Sequence, residues 1–459
     1  MIKCMKLKWG KEMTTSTITN QANQELQKGI ADYASYSTLR MIPSVVDGFK
    51  NAQRKAFWGI RNFTNGLIKV EQASSRVAEK SEYLHGGMSL SSVIVNMAQD
   101  FVGSNNIPYF ERKGNFGTRF VNENSAYRYI FVRKNPLMDS IFNEKDDAVL
   151  IEQEFEGTKI EPRFYVPILP MILVNGSSGI ASGFASRILP RNPKDLLETI
   201  KNYLKYGSPV LVPPVYFKGF KGTIIDEGHG KVEIHGDIKK TKTLRGFDYY
   251  EISELPIGME LSKYIQILDD LEDNGIINSY EDHSENDSFK FIIKVKNSLD
   301  IEKLKQKLKL VTKITENYTV IDENNRVKEF QNANEILEYY IEIRLEYYQK
   351  RKDYLIKKLS EDIKLLVSKY LFIKAIEDEE LIITKRPTQD IIDDLEKYDK
   401  IIKIDGSYQY LLRMPIHSLT KEKMKELMEK IKTMKSEMDK LLEMEPKDMW
   451  LEDLDELEI

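Results

Sequence analysis

Tyr129 stands in the run Asn124, Ser125, Ala126, Tyr127, Arg128, Tyr129, Ile130, Phe131, Val132, Arg133, with one arginine beside it and another four residues on. A tyrosine hydroxyl can attack phosphorus and hold the energy of a phosphodiester as a covalent ester. The transition state spreads negative charge over the phosphoryl oxygens, so it needs cations fixed beside the nucleophile. Arg128 and Arg133 are of the right type. Alone the pair says little, because the chain has 24 tyrosines and an Arg-Tyr dipeptide is more often the edge of a strand. Other chemistries lack their motifs: there is no GxxxxGK[ST] phosphate loop, no HExxH and no GxSxG. The single cysteine, Cys4, excludes an internal disulfide and any multi-cysteine zinc site, and fits a reducing cytosol. Asp453 and Asp455 resemble a paired-carboxylate metal site. They lie, however, in residues 443–459, with eight acidic residues against one lysine, which reads as a solvated acidic tail that holds no metal.

The elements that must position Tyr129 are legible in part. Residues 26–63 carry helical periodicity interrupted by Pro43. Residues 69–101 read as two short helices around a turn at Leu84, His85, Gly86 and Gly87, the second with an apolar stripe of Leu90, Val93, Ile94, Met97 and Phe101. A glycine turn at 114–117 and a strand over Tyr127–Val132 follow. Three helices and then a small strand wing is the order of a winged helix, a DNA-binding design. Between 164 and 330 the signals mix: apolar runs at 164–174 and 289–295 and the alternating 231–235 predict strands, with helices at 193–205, 262–274 and 300–310. Residues 335–376 then form one helical pattern without Gly or Pro, about 60 Å of rod. Its stripe is Ile341, Leu345, Tyr348, Leu355, Leu359, Ile363, Leu366, Tyr370 and Ile373, with a break at Lys352. A compact stretch containing Pro387, Gly406 and Pro415 precedes a second long helix, N-capped by Thr420, with Met424, Leu427, Met428, Ile431, Met434, Met438 and Leu441 on one face. The pair predicts an antiparallel coiled-coil arm with a small knob.

The chain of 459 residues is too long for one core, and its mean hydropathy of −0.44 is that of an ordinary water-soluble protein. No stretch reaches the ~20 apolar residues that span a bilayer, so no membrane partner is expected. The net charge of −4 hides an asymmetry: residues 1–135 hold 19 Lys+Arg against 10 Asp+Glu, and the remainder 49 (68 − 19) against 62 (72 − 10). A basic first third suits a polyanion, since neutralising phosphates releases counterions. The fold class is α+β multidomain: a flexible leader over 1–25, with Met13 as an alternative start, then units over 26–150, 151–333 and 334–442, and the tail.

Five blocks in one order resemble the DNA-cleaving subunits of type IIA DNA topoisomerases, the gyrase A and topoisomerase IV A type. Arg40, Pro43, Asp47, Gly48, Lys50, Arg54 and Lys55 fall as in R-x-[LI]-P-x-x-x-D-G-[LF]-K-P-x-x-R-[RK]; Tyr83 to Gly86 resembles the His-Gly turn that opens a DNA-recognition helix; Lys113 to Gly117 matches Q-G-N-F-G except at its first residue; Arg128 and Tyr129 match the active-site pair; and Pro167 to Gly183 resembles P-x-x-P…L-x-N-G-x-x-G-I-A-x-G. The chain departs from the bacterial wording at Asn51, Gln53, Met88 and Ser92. Its compact length and the Tyr-Ile-Phe-x-Arg wording most resemble the medium subunit of T-even-type phage topoisomerases.

The resemblance implies a winged-helix DNA-gate domain, an α/β tower domain and a coiled-coil arm ending in a helical C-gate knob. It implies catalytic roles for Tyr129, Arg128, Arg40 and His85. Lys50, Arg54 and Lys55 would grip backbone phosphates, with Arg76 and Lys113 as further DNA contacts, and Ile180 would wedge between base steps. It also implies a homodimer acting on double-stranded DNA, and a partner chain whose TOPRIM domain holds Mg²⁺ and whose ATPase binds ATP, in a bacterial or phage-infected cytosol. Without a carboxy-terminal propeller the expected outcome is relaxation and unlinking rather than supercoiling. A rival from another class is a non-catalytic winged-helix and coiled-coil protein that organises DNA; it accounts for the basic third and the arm but not for the five ordered blocks.

Overall fold

The computed structural model describes residues 15–64, 66–296 and 300–459, with side chains from residue 23 onward except that of Ile416. Cys4 and Met13 lie outside the described residues. The chain divides into two compact units, one of residues 1–142, 151–341 and 458–459, the other of residues 143–150 and 342–457. The chain changes unit at 150/151, and residues 23–142 and 151–341 belong to the same unit.

The first unit opens with α1 (Thr15–Met41), so residues 15–25 of the expected leader are helical. After the turn at 43–50 come α2 (Asn51–Phe63), α3 (Val70–Lys80) and α4 (Gly87–Ala98). Gly59 lets α2 cross α3 closely, since a Cβ there would stand 2.6 Å from a Val77 methyl. The buried face of α4 is Leu90, Ile94, Val95, Met97 and Ala98; Phe101 is half-buried in the following turn. A small antiparallel sheet completes this part. Strand β3 (Phe131–Lys134) lies between β1 (Ile68–Lys69) and β2 (Phe110–Lys113). The strand predicted over Tyr127–Val132 therefore begins four residues later. The amide of Tyr129 turns back to the carbonyl of Ala126 at 2.9 Å, which takes residues 127–129 out of the ladder.

Asp47 is the hub of the turn between α1 and α2. Fully buried, it accepts from the amides of Phe49 and Tyr165, both at 3.0 Å, and from the Arg54 guanidinium. The neighbouring Gly48 has φ +73°, and a Cβ there would meet the Ile172 amide at 2.6 Å, so a turn dipeptide that is common on surfaces is here packed against a buried segment. That segment, 164–174, is apolar and buried as expected but is not a strand; Pro167 and Pro170 interrupt ladder pairing, and Met171–Val174 form one helical turn instead.

The hairpin β4 (Ser177–Ile180) and β5 (Ala185–Ile188) comes next, then a helix at Pro193–Tyr206, capped by the Asn192 side chain and closed by Gly207 at φ +64°. Three strands at 223–228, 231–235 and 311–315 make one antiparallel sheet. Four at 237–244, 247–254, 291–296 and 279–282 make another, with Tyr264 and Leu268 of the helix Leu261–Asp273 and Leu304 of Ile301–Lys307 in its core.

In the second unit, the long helix Ala333–Glu377 supplies its residues from Glu342 on. Every residue of the predicted stripe from Leu345 to Ile373 is buried or half-buried. The return helix Lys421–Glu443 starts at Thr420, whose hydroxyl accepts from the Lys423 amide. Ion pairing of Lys421 with Glu377 at one end, and donation by Lys352 to the carbonyls of Leu442 and Met444 at the other, set the two helices antiparallel. Lys352 breaks the stripe because it satisfies the return helix's terminal carbonyls. On the return helix Leu427 and Ile431 are buried, whereas Met428 is exposed. Phe372, Leu381, Ile391, Leu395, Ile401, Tyr408 and Leu411 form a separate small core between the helices.

The acidic tail is not solvated. Pro446–Asp455 is a helix with Met449, Trp450, Asp453 and Leu454 buried, Trp450 completely. Asp453 accepts from Arg351 and from the Tyr348 hydroxyl, both at 2.7 Å, and Trp450 stacks on Tyr348. Apolar residues at 449, 450 and 454 are spaced for one helix face; the acidic count concealed them.

Candidate nucleic-acid cleavage site

Tyr129 stands at the end of the Ala126 turn with its side chain two-thirds exposed (66%), and the Arg128 guanidinium lies 5.0 Å from its ring centre. The next residue is fixed: the Ile130 carbonyl accepts from the Val70 amide at 3.0 Å, and Ile130 is buried against Gly114. The Tyr129 backbone is thus held in place while its side chain is largely exposed. Arg133, the other nearby cation, pairs with Glu111.

A second cluster forms at the carboxy-terminal end of α1. His85 sits in the turn before α4, its Nε2 hydrogen-bonded to the hydroxyl of Tyr36, with the Tyr83 ring 5.4 Å away. Arg40 lies one turn after Tyr36 on α1. Partial burial and then the nearby Arg40 charge lower the proton affinity of His85 below that of a free imidazole. Tyr36 was not singled out from the sequence; its place one helical turn before Arg40 was the available signal. Among the described residues no hydrogen bond or ion pair joins this cluster to Tyr129.

The hairpin carries Ile180 at its tip, 80% exposed. Its position is set by Gly179, whose missing side chain lets the strand lie on the end of α1; a Cβ would stand 2.0 Å from the Met41 carbonyl oxygen. Gly179→Ala is expected to lower unfolding stability by about 1–3 kcal/mol, read from a denaturant midpoint; an unchanged midpoint would mean the hairpin floats free of α1.

The predicted phosphate-binding cations divide. Lys113 is exposed on β2, and Arg76 is exposed on α3, donating to the Phe63 carbonyl at 3.0 Å. Lys50 is half-buried at the start of α2, and burial lowers its proton affinity. Arg54 is committed to Asp47 through two bonds of 2.7 and 3.0 Å. Lys55, expected at a phosphate, is turned inward: only 8% exposed, it pairs with Glu161 at 2.9 Å and also donates to the Ser81 carbonyl. Spacing on α2 turns Lys55 inward toward a carboxylate 106 residues away, which no local pattern reveals.

Lys55→Met is therefore expected to destabilise the fold by about 3 kcal/mol at neutral pH, leaving the salt dependence of DNA binding unchanged. Burial already raises the proton affinity of Glu161, with Lys55 opposing it. Without Lys55 the folded-state value rises further above the unfolded one. The loss should be absent below the ordinary carboxylate range and grow as pH rises through it. Urea titrations at several pH values measure this; a loss independent of pH would contradict it.

A family profile for the A-type subunit of DNA gyrase/topoisomerase IV matches residues 40–455. The chain belongs to that family. It is 35% identical to the mitochondrial DNA topoisomerase 2 of Dictyostelium discoideum over 99% of its own length, 36% identical to DNA topoisomerase 2 of Plasmodium falciparum over 94%, and 30% identical to that of Invertebrate iridescent virus 6 over 96%. These matches cover 37%, 34% and 39% of the relatives, so this family member spans little more than a third of their length. The crystal structure of the Plasmodium falciparum topoisomerase II DNA-binding, cleavage and re-ligation domain superposes with a TM-score of 0.82 at 36% identity, covering 93% of this chain and 62% of that one. The mixed α/β architecture is thus that of a type II topoisomerase cleavage domain. Among the described residues no helix is long and apolar enough to cross a membrane.

Proposed function

We propose that the chain is the DNA-cleaving and rejoining part of an ATP-dependent type IIA topoisomerase, with Tyr129 as nucleophile. The observation that carries this is the exposed Tyr129 side chain with the Arg128 guanidinium over its ring, on a chain whose family and relatives are topoisomerases. In this reading the Tyr129 oxygen attacks a backbone phosphorus, forming a new P–O bond as the bond to O3′ breaks. The bonding pair leaves on O3′, which takes up a proton, while the phenolic proton passes to solvent. The DNA is held as a 5′-phosphotyrosine, and attack by the 3′ hydroxyl reverses the exchange. Arg128, with Arg40 and His85, would stabilise the charge on the phosphoryl oxygens. Lys50, Arg76 and Lys113 would contact phosphates, and Ile180 would wedge a base step.

The helices α2–α4 with their three-stranded sheet would act as a winged-helix gate, the two larger sheets as a tower, and the long helices with their knob as a C-gate arm. Two copies would supply one Tyr129 per strand, and a second duplex would pass between them. Among the described residues no group of three or more His, Cys, Asp or Glu could hold a metal ion. Mg²⁺ and ATP would be held by a TOPRIM/ATPase partner, in a cytosolic setting.

The test is covalent trapping on end-labelled duplex DNA with the chain, a TOPRIM/ATPase partner and Mg²⁺. A 5′-linked adduct is expected from the complete mixture, falling by roughly a hundredfold when partner or Mg²⁺ is omitted, while DNA binding persists. Equal cleavage by the isolated chain would refute the partner requirement. Tight binding with no adduct from the complete mixture would favour the DNA-organising protein.

A further inference from the structure

We propose that Tyr36 is a positioning residue that donates its hydroxyl hydrogen to His85 Nε2 and so holds the ring as the neutral tautomer with its N–H on Nδ1. The inference rests on the reading of His85 as a member of the cleavage site. Tyr36 and Arg40 lie one turn apart on α1 and line the same cavity of about 260 Å³. The Tyr36 ring is centred 6.1 Å from the imidazole at a tilt of 40°, with its hydroxyl on Nε2.

The groups that face His85 decide which partner donates. From α1 these are Tyr36 and Arg40; from its own turn it is Tyr83. Among the described residues no carboxylate hydrogen-bonds the ring, so nothing there would hold an imidazolium. Arg40 offers only donors, and its charge opposes a second cation. A neutral imidazole has one acceptor nitrogen, and the phenol is the group placed to fill it. With Nε2 occupied, the remaining N–H is on Nδ1 and free to donate to a phosphoryl oxygen. His85 would then act as an uncharged hydrogen-bond donor whose orientation is set by the helix that carries Arg40.

Histidine C2-hydrogen exchange, followed by mass spectrometry on the full chain across pH, reads the titration midpoint of each of its five histidines. Tyr36→Phe keeps the ring and deletes the donor, so misfolding is not expected, and the other four histidines report it if it occurs. The His85 midpoint should move upward, raising its protonated fraction near pH 6 about threefold. In the complete trapping mixture, the acid limb of adduct formation by Tyr36→Phe should move upward with it, with DNA affinity unchanged. A His85 midpoint that stays or falls overturns the hydrogen-bond assignment. A shifted midpoint with an unshifted acid limb overturns the positioning role. The exchange measurement needs neither DNA nor partner, so it stands apart from failure of the wild type to form any adduct, which would refute the cleavage reading instead.

Discussion

Tyr129→Phe is expected to abolish the covalent adduct, by a factor of at least ~10⁴, while binding duplex DNA within about twofold of the wild type. The substitution removes one oxygen from a side chain that is largely exposed, and the backbone bonds that fix the turn, Tyr129 to Ala126 and Val70 to Ile130, are untouched. Neither folding nor the phosphate-contacting cations should notice it. A covalent ester, by contrast, has no other oxygen from which to form at that position. Labelled DNA retained by protein after denaturation is the measurement, with binding checked on the native protein. An adduct that survives would place the nucleophile elsewhere, and Tyr127, two residues away on the same turn, would be examined first. Arg128→Ala should show a weaker form of the same split, since it removes charge stabilisation and leaves the nucleophile in place.

The second large effect concerns stability. Asp453→Ala is expected to destabilise the second unit by about 3–5 kcal/mol. It strips a buried carboxylate from Arg351 and from the Tyr348 hydroxyl in one step. Arg351 retains a 3.7 Å approach to Asp146, which is already held by Arg344 at 2.8 Å, and the Tyr348 ring 5.3 Å away. An arginine left 4% exposed with half its pairing gone is a buried charge only partly compensated. Chemical denaturation followed through the near-ultraviolet signal of Trp450 stacked on Tyr348 would report the loss. If the midpoint is unmoved, the helix Pro446–Asp455 does not contribute to that unit's folding.

These two residues mark the limits of what could be read in advance. The exposure of Tyr129 and Ile180 agrees with the roles proposed for them, which rest on particular residue types falling in a particular order along the chain. The long helices were legible because a stripe at helical spacing has one burial solution, and Thr420 announced the start of the return helix. Asp453 was misread because eight acids in the last seventeen residues dominate any composition window, whereas its partner is an arginine 102 residues earlier. The inward turn of Lys55 was hidden for the same reason: its partner Glu161 is distant in sequence, and on α2 nothing local separates a lysine that reaches inward from one that reaches water. The strand at 127–132 failed by a register of four because the turn that exposes Tyr129 takes its residues out of the sheet. The buried run 164–174 gave the right burial and the wrong shape, because its two prolines forbid a ladder that its apolar side chains would otherwise favour.

Gly179 joins matters that are separate in the sequence. With the hairpin lying on the last carbonyl of α1, the tip residue Ile180 and the helix bearing Tyr36 and Arg40 share one lever. If Ile180 and Arg40 act on DNA as proposed, a bend forced into a duplex at the tip would push on that helix, and a shift of the helix would move the tip. Curvature of the substrate and alignment of the groups at its phosphate would then be a single mechanical variable.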